Sequence, residues 1–365
     1  MPMYEQLLTP QAVIDLDIVD RNISRMASLL KERGIQHRPH IKTTKSVRLA
    51  LRQLEAGAAG ITVAKLSEAE VFINAGITNI LVASAVIGEA NLQRYAKLHL
   101  LADLLTTVDS AAGAEGLARI GVKTGKPVRV LVEIDGGLHR GGRQPGADAA
   151  GFARSVHALP GLEVAGVMNY AGTIYRNSTA EGFIEAVKLE SELLAETVEQ
   201  IRQSGVPVEI VSSGSTPSAL YSEYLQGVTE VRAGNYIFFD ASGVAMGLAR
   251  EEDCALRVIA TVISVPLPGR ATIDAGTKTL TSDKAHNRGG HGIVTGRPGI
   301  EISMLNEEHG FLTFDPAAES VAVGDRLEII PNHSCVIPNL YDELPGVRQG
   351  QVAERIIIEA RGCNY

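Results

Sequence analysis

The chain has 365 residues, of which 45% are hydrophobic and 37 are glycine, and its net charge is −8. This length suits a large α/β domain with a smaller second domain, and the acidic balance argues against nucleic acid or an anionic membrane as the main partner. The first ten residues lack a signal-peptide pattern and the three cysteines are widely spaced, so we expect a cytoplasmic protein with reduced thiols.

In chain order, a strand-like segment at 13–16 comes first, followed by a helix that Gly34 can end. Amphipathic stretches such as 65–75 and 182–204 then alternate with short apolar segments. These predicted strands are 37–42, 61–64, 80–84, 104–108, 128–135, 164–170, 208–212 and 230–238. Eight such units predict a (β/α)8 TIM barrel, whose chemistry lies at the C-terminal ends of its strands. A doubly wound sheet is the alternative, but no Gly-x-Gly-x-x-Gly motif follows an early strand.

After about residue 250 the pattern changes to strand-like segments separated by Gly/Pro turns. The predicted strands here are 257–265, 270–274, 310–313 and 326–330. They indicate a second, mainly β domain, which the 13–16 strand can join because it lies outside the eight-unit count. We therefore predict a barrel over 17–250 and a β domain over 251–365 together with 1–16.

Polar side chains follow several predicted barrel strands. Lys42 lies two residues after His40 on the first strand, and a partly buried lysine there suits Schiff-base chemistry, although a solvated lysine is the alternative. After the fifth strand, glycines allow close approach of a ligand, and Arg140 can donate to a phenolate or carboxylate. Small hydroxyl residues at 212–216 and the segment 232–236 follow strands seven and eight, where this barrel commonly binds phosphate.

His333 and Cys335 are separated by one residue near the C-terminus, so both side chains can point to one side of an extended segment. An imidazole and a thiolate can clamp one divalent metal, and so few protein ligands leave coordination positions open for catalysis. A buried free cysteine beside a hydrogen-bonded histidine is the alternative.

Together these motifs resemble the fold-type III pyridoxal phosphate enzymes, in particular the metal-activated D-threonine aldolases and D-serine dehydratases. The resemblance extends from Thr9 to Glu343, and segments 274–278, 306–310 and 331–335 also match it. It implies an alanine racemase-like barrel in which Lys42 carries the cofactor as a Schiff base and His333 and Cys335 bind the metal. The implied cofactor-binding residues are Lys42, His40, Arg140, Tyr170, Gly214, Ser215, Thr216, Arg232, Gly234 and Asn235.

Arg232 explains why the reaction would need a metal. A guanidinium cannot accept a proton, so a pyridine nitrogen facing it stays unprotonated and the ring becomes a weaker electron sink. A Lewis-acid metal on the substrate β-hydroxyl can compensate. The sequence thus predicts a lyase for D-3-hydroxy amino acids, such as D-serine or D-3-hydroxyaspartate, and the family resemblance implies a homodimer. Dehydration to an oxo acid and ammonia is favoured, and retro-aldol cleavage to glycine and an aldehyde is the alternative.

Two features favour dehydration. The Cys335 thiolate prefers zinc over manganese or magnesium, and His-x-Cys resembles the dehydratases of the group. Segment 169–173 has no histidine that could serve as the aldolase base, although His291 or His309 could replace it. A racemase would not need the metal pair, and a non-catalytic cofactor-binding protein would not need the second domain.

Overall fold

The computed structural model describes residues 6–365. Strand β1 (Gln11–Asp15) leads directly into helix α1 (Leu16–Glu32). Gly34 follows with φ of 67°, the left-handed conformation that commonly ends a helix. The helix end predicted at this glycine is therefore confirmed.

Eight parallel strands form one sheet in the order β2-β9-β8-β7-β6-β5-β4-β3. Their bounds are β2 (Gln36–His37), β3 (Ile61–Val63), β4 (Asn79–Val82), β5 (Asp103–Val108), β6 (Val128–Ile134), β7 (Leu162–Asn169), β8 (Ile210–Ser213) and β9 (Glu230–Val231). A parallel bridge between His40 and Thr62 links the ends of this order, beside a hydrogen bond from Thr62 N to Pro39 O at 2.8 Å. The predicted alanine racemase-like barrel is confirmed.

Helices alternate with these strands, and their buried apolar stripes pack against the barrel. They are α2 (Val47–Glu55), α3 (Leu66–Asn74), α4 (Glu89–Leu101), α5 (Ala111–Thr124), α6 (Ala147–His157), α7 (Ala180–Gln203) and α8 (Thr216–Leu220), and the short α9 (Ala241–Ala245) follows β9. Inside the barrel, strands contribute apolar side chains from alternate positions. One such core cluster contains Leu81, Leu105, Leu131, Ala165 and Met168.

Two predicted strands are much shorter than expected. The strand predicted at 37–42 ends at His37, because Pro39 has no N–H for a ladder, and Lys42 lies instead in the 3-10 turn Ile41–Thr43. The strand predicted at 230–238 ends at Val231. Beyond it, Ala233 O accepts from the His37 ring at 3.1 Å and from His40 N at 3.4 Å, and Asn235–Ile237 form a 3-10 turn.

The rest of the chain is mainly β, as predicted. Its elements are β10 (Leu256–Leu267), β11 (Arg270–Ile273), α10 (Thr277–Leu280), β12 (Ile293–Val294), β13 (Glu301–Leu305), β14 (Gly310–Thr313), β15 (Arg326–Ile330), β16 (Glu343–Arg348) and β17 (Gln351–Ile357). These strands join β1 in a sheet ordered β13-β14-β11-β10-β1-β16-β17, with β15 pairing β10 and β12. The sequence missed β12, β13, β16 and β17.

The described chain forms two compact units. One contains the described residues through Ser24, Thr43–Arg48 and Asn235–Arg361, and the other contains Arg25–Lys42, Leu49–Gly234 and Gly362–Tyr365. The predicted domain limits, 17–250 and 251–365 with 1–16, stay a prediction. Within residues 6–365, none of the helices combines the length and apolar character that crossing a bilayer requires.

Candidate active site

The barrel unit contains a cavity of about 360 Å³, a size typical of small-ligand sites. Lys42, His40, Arg140, Tyr170 and Arg232, which lie up to 192 residues apart in sequence, all line it. They meet because the C-terminal ends of parallel strands share one face of a barrel. The lysine is exposed to this cavity because its 3-10 turn lifts it off the strand.

The cavity carries several positive charges. Its half-buried His40 has a pKa well below the usual range, because burial and the charges of Lys42, Arg232 and Arg140 all oppose protonation. The Arg140 guanidinium lies over the Tyr170 ring, 5.0 Å from its centroid. A neutral imidazole among cations suits an anionic ligand with an aromatic ring.

Arg232 is buried and held by two neighbouring strands. It donates to Asn169 O on β7 at 2.5 Å and to Ser212 Oγ on β8 at 2.8 Å. The serine hydroxyl in turn donates to Glu230 at 2.7 Å, and Arg38 bonds the other oxygen of Glu230 at 2.9 Å. This chain of hydrogen bonds fixes the guanidinium in one orientation.

The turn between β8 and α8 contains Gly214, Ser215 and Thr216, all of them buried. Gly214 has φ of 81°, which favours glycine, and its N–H donates to Glu190 Oε1 at 3.0 Å. Gly234 is half-buried in the loop that follows β9. Other residues form the lining of the cavity, so the role of this turn and loop toward a phosphate stays a prediction.

In the other unit, His333 and Cys335 begin a 3-10 segment that follows β15. Thr43 Oγ1 lies 3.1 Å from Cys335 Sγ, and Asn235 Nδ2 donates to this sulfur at 3.6 Å. Across residues 6–365, there is no group of three or more His, Cys, Asp or Glu side chains that could hold a metal. A metal on this pair would therefore keep coordination positions for water or substrate.

Asp240 orients the imidazole of this pair. Its buried carboxylate accepts from His333 Nδ1 at 3.0 Å, from Ser334 N at 3.0 Å and from Asn235 Nδ2 at 2.7 Å. Burial works to raise the pKa of Asp240, but these hydrogen bonds and the histidine charge hold it below its usual value. With Nδ1–H on the carboxylate, Nε2 is the nitrogen that can bind a metal, the arrangement common for metal-ligating histidines.

Sequence reasoning missed Asp240 and the buried Glu190 and Glu230, because no local motif marks these carboxylates. Glu133 and Asp109 line the cavity, and burial followed by the Asp109 charge raises the pKa of Glu133. Of the two histidines considered as bases, His309 is exposed. His291 Nδ1 is buried and has no hydrogen-bond partner among the residues that the structure describes.

Comparison with known proteins gives two family matches. Residues 14–242 match the alanine racemase N-terminal domain, and residues 255–347 match the serine dehydratase domain. The chain is 40% identical to D-threo-3-hydroxyaspartate dehydratase of Delftia sp. (strain HT23), over 91% of this chain and 93% of that protein.

Two solved structures are also similar. D-threonine aldolase from Filomicrobium marinum superposes with a TM-score of 0.91 at 31% identity, over 98% of this chain and 97% of the other. A cysteine-to-alanine mutant of D-threo-3-hydroxyaspartate dehydratase in its metal-free form superposes with a TM-score of 0.90 at 37% identity, over 98% of both chains.

Proposed function

Because this chain belongs to the fold-type III pyridoxal phosphate enzymes that join an alanine racemase N-terminal domain to a serine dehydratase domain, we propose that it dehydrates D-3-hydroxy amino acids. It is a pyridoxal phosphate-dependent lyase of D-hydroxy amino acids, as its dehydratase and aldolase relatives are named. The proposed reaction eliminates water from D-3-hydroxyaspartate or D-serine, and the enamine product takes up water again as it hydrolyses to an oxo acid and ammonia.

The cavity that collects Lys42, His40, Arg140, Tyr170 and Arg232 carries this proposal. Its residues fit the cofactor chemically, because an exposed amine, an aromatic face and fixed cations suit an anionic pyridoxal ring. The turn at Gly214, Ser215 and Thr216 and the backbone at Gly234 and Asn235 would take the phosphate.

Bound pyridoxal phosphate supplies an electron sink for the Cα carbanion, and a bound divalent metal supplies a Lewis acid for the β-hydroxyl. The chain's own residues do the rest. Lys42 Nζ is the base that accepts the substrate α-proton. Arg232, fixed by Ser212 and Asn169, has only N–H donors and keeps its protons, so a pyridine nitrogen placed against it would accept a hydrogen bond and remain unprotonated.

The metal proposed for His333 and Cys335 is zinc, in preference to manganese or magnesium. A thiolate and an imidazole suit a borderline-soft ion, whereas manganese and magnesium prefer oxygen ligands. The orientation of His333 by Asp240 supports the metal site, because a histidine whose Nδ1–H is fixed offers Nε2 alone.

Retro-aldol cleavage is the second candidate, since the fold superposes on a D-threonine aldolase with a TM-score of 0.91. Product analysis separates the two reactions. Incubation with D-3-hydroxyaspartate, D-serine and D-threonine is expected to give an oxo acid and ammonia. Glycine and an aldehyde as the main products from all three would overturn dehydration, and the L-enantiomers are the control.

The assignment of Lys42 is tested by borohydride reduction followed by peptide mapping. Reduction should bleach the yellow absorbance band and leave the cofactor attached to Lys42, while Lys65 of the same cavity stays unlabelled. A Lys42→Ala variant should lose the band and at least about 10³-fold in turnover, on the scale of other essential acid–base groups. Label on Lys65, or full turnover by the variant, would contradict the assignment.

The remaining proposals concern the whole protein. We propose a cytoplasmic homodimer that acts on small molecules and has neither nucleic acid nor membrane as a partner. The net charge of −8 and the three separated cysteines support this setting. Sedimentation of the purified protein should give the mass of two chains, and a monomer at micromolar concentration would contradict the dimer.

A further inference from the structure

Helix α7 carries a carboxylate on its buried face. Glu190 is 4% exposed and lies in the stripe that also contains Phe183, Val187 and Leu194. The other glutamates of this helix, such as Glu192, are exposed. A charged side chain is rarely buried unless its oxygens are hydrogen-bonded, so the partners of Glu190 show what the position does.

Those partners all lie in segment 213–218, in which Ser213 ends β8, Gly214 is in the turn and Ser218 is in α8. Glu190 Oε1 accepts from Gly214 N at 3.0 Å and from Ser213 Oγ, and Oε2 accepts from Ser218 Oγ at 2.9 Å. Two of the three donors precede Ser215 and Thr216, and the third follows them. The Glu190 carboxylate therefore hydrogen-bonds residues on both sides of Ser215 and Thr216.

The turn depends on such support because its backbone is unusual. Gly214 has φ of 81°, and a Cβ at this position would lie 3.0 Å from Val231 Cγ1. Helix α8, which starts at Thr216, has no side-chain cap from Ser215. Without Glu190, the N–H of Gly214 would lose its buried acceptor, and the hydroxyls of Ser213 and Ser218 would keep only longer contacts, with Asn169 Oδ1 at 3.3 Å and Ser215 Oγ at 3.4 Å.

Glu190 does not itself offer a donor to an anion, because both of its oxygens accept hydrogen bonds from segment 213–218. Burial raises the pKa of its carboxyl group, while the three donors and the charge of Arg232 favour the ionised form. Its contribution to an anionic ligand is therefore indirect. It fixes the turn before the ligand arrives, so less conformational freedom is lost on binding.

We propose that Glu190 is a positioning residue that preorganises turn 213–218 for the 5′-phosphate of the cofactor. The inference rests on the proposed function, because it presumes that pyridoxal phosphate binds to this barrel. It predicts a defect that is specific to the phosphate group and spares the rest of the cofactor.

The test compares pyridoxal 5′-phosphate with pyridoxal, which lacks the phosphate. Both are titrated by absorbance and fluorescence into the wild-type protein and a Glu190→Gln variant, after removal of bound cofactor with hydroxylamine. The amide of this variant keeps the shape of the carboxylate but has one acceptor oxygen, so at least one donor loses its partner. Affinity for pyridoxal phosphate should fall about tenfold, the effect of losing one charge-assisted hydrogen bond, and affinity for pyridoxal should stay within about twofold.

A Thr197→Val variant is the matched control. Thr197 is buried on the same helix, where its hydroxyl donates to Leu193 O and accepts from Gly146 N, and it does not contact the turn. This variant should keep the wild-type ratio of the two affinities. A Ser218→Ala variant removes the bond to Oε2 and a longer contact of 3.4 Å with Ser215 Oγ, and it should shift the ratio in the same direction as Glu190→Gln by a smaller factor.

The outcomes separate the two hypotheses. Wild-type protein that binds neither compound, or binds both equally, overturns the proposed function. Wild-type protein that prefers pyridoxal phosphate, with the same preference in Glu190→Gln, overturns the role of Glu190 alone. An equal loss for both compounds in Glu190→Gln also overturns it, because a general loosening of the barrel affects both. If Glu190→Gln does not fold by circular dichroism, Ser218→Ala decides, and an unchanged ratio in that variant overturns the proposal.

Discussion

At the residue scale, the candidate metal pair, His333 and Cys335, depends on Asp240, which holds the histidine ring in place. Asp240 accepts from the His333 ring, from the backbone of Ser334 and from the N–H of Gly243 at the start of α9. One buried carboxylate thus fixes a histidine tautomer, the direction of the ligand segment and a helix cap. None of these contacts is local in sequence except the helix cap.

An Asp240→Asn substitution should weaken metal binding about 10- to 100-fold, because the amide no longer holds the imidazole as a charged acceptor. Zinc affinity is measured by competition with a chromophoric chelator. Asp135→Asn is the matched control, since Asp135 also accepts from a histidine ring, that of His139 at 2.6 Å, but in the barrel unit. Equal zinc affinity in Asp240→Asn and wild type would refute the orienting role.

Replacing Cys335 should change the metal that the protein prefers. Cys335→Ala is expected to lose zinc and activity while retaining the cofactor, and Cys335→Asp should shift preference toward manganese, because a carboxylate is a harder ligand. Metal content and cofactor content are measured together on each purified variant. Cys254→Ala should behave like wild type, since that thiol is buried and its burial raises its pKa. Full zinc content in Cys335→Ala would rule the thiolate out as a ligand.

At the scale of single elements, the first barrel strand is short, but its residues and those that follow it close the barrel. Strand β2 contains only two residues, yet its His37 is buried and bonds Ala233 O beyond the end of β9. The next residues, Arg38 and Pro39, connect by hydrogen bonds to β9 and to Thr62 of β3. This segment closes the barrel and leads to Lys42, which lines the cavity.

His37 should make the barrel sensitive to acid. Burial lowers its pKa to about 4, against a usual value of 6.5, and the hydrogen bond to Ala233 opposes this only in part. Between these pH values the unfolded chain binds a proton that the folded chain does not, so stability falls as pH decreases from about 6.5 to 4. The free energy of unfolding, measured by urea titration at several pH values, should decline by up to about 3 kcal/mol through this group. A His37→Gln variant should show a flatter profile over this range, and an unchanged slope would count against the assignment.

At the scale of the whole molecule, the two ends of the chain form one sheet. Strand β1 lies between β10 and β16, antiparallel to the first and parallel to the second. The C-terminal sheet is therefore incomplete until the chain's N-terminal strand joins it. A contact between residues so far apart in sequence makes this sheet slow to form.

Ile14 is fully buried in β1, in register with Leu256 and Gly346. An Ile14→Ala substitution should destabilise the protein by about 2–5 kcal/mol, the usual cost of a large cavity in a packed core. Urea unfolding gives the difference. Ile263→Ala is the control, because Ile263 is 44% exposed and its loss should cost little. Similar unfolding curves for both variants would show that β1 is not central to this sheet.

The sequence predicted the fold well because its patterns are local. Alternating apolar segments and amphipathic helices mark a barrel, and five of the residues predicted at the strand ends line the cavity: His40, Lys42, Arg140, Tyr170 and Arg232. Strand lengths were predicted less well. The strand predicted at 230–238 ends at Val231 and gives way to the 3-10 turn Asn235–Ile237, and residues 343–348 were missed because Pro345 and Gly346 lie inside a strand.

The sequence by itself determined the fold class, the resemblance to the family and the candidate ligands Lys42, His333 and Cys335. It could do so because short motifs and periodicity depend on neighbouring residues. Only the tertiary structure revealed Asp240 behind His333 and Glu190 behind turn 213–218. The hydrogen-bond donors of each buried carboxylate come mainly from distant parts of the chain. No local sequence pattern can predict which donors the fold places beside it.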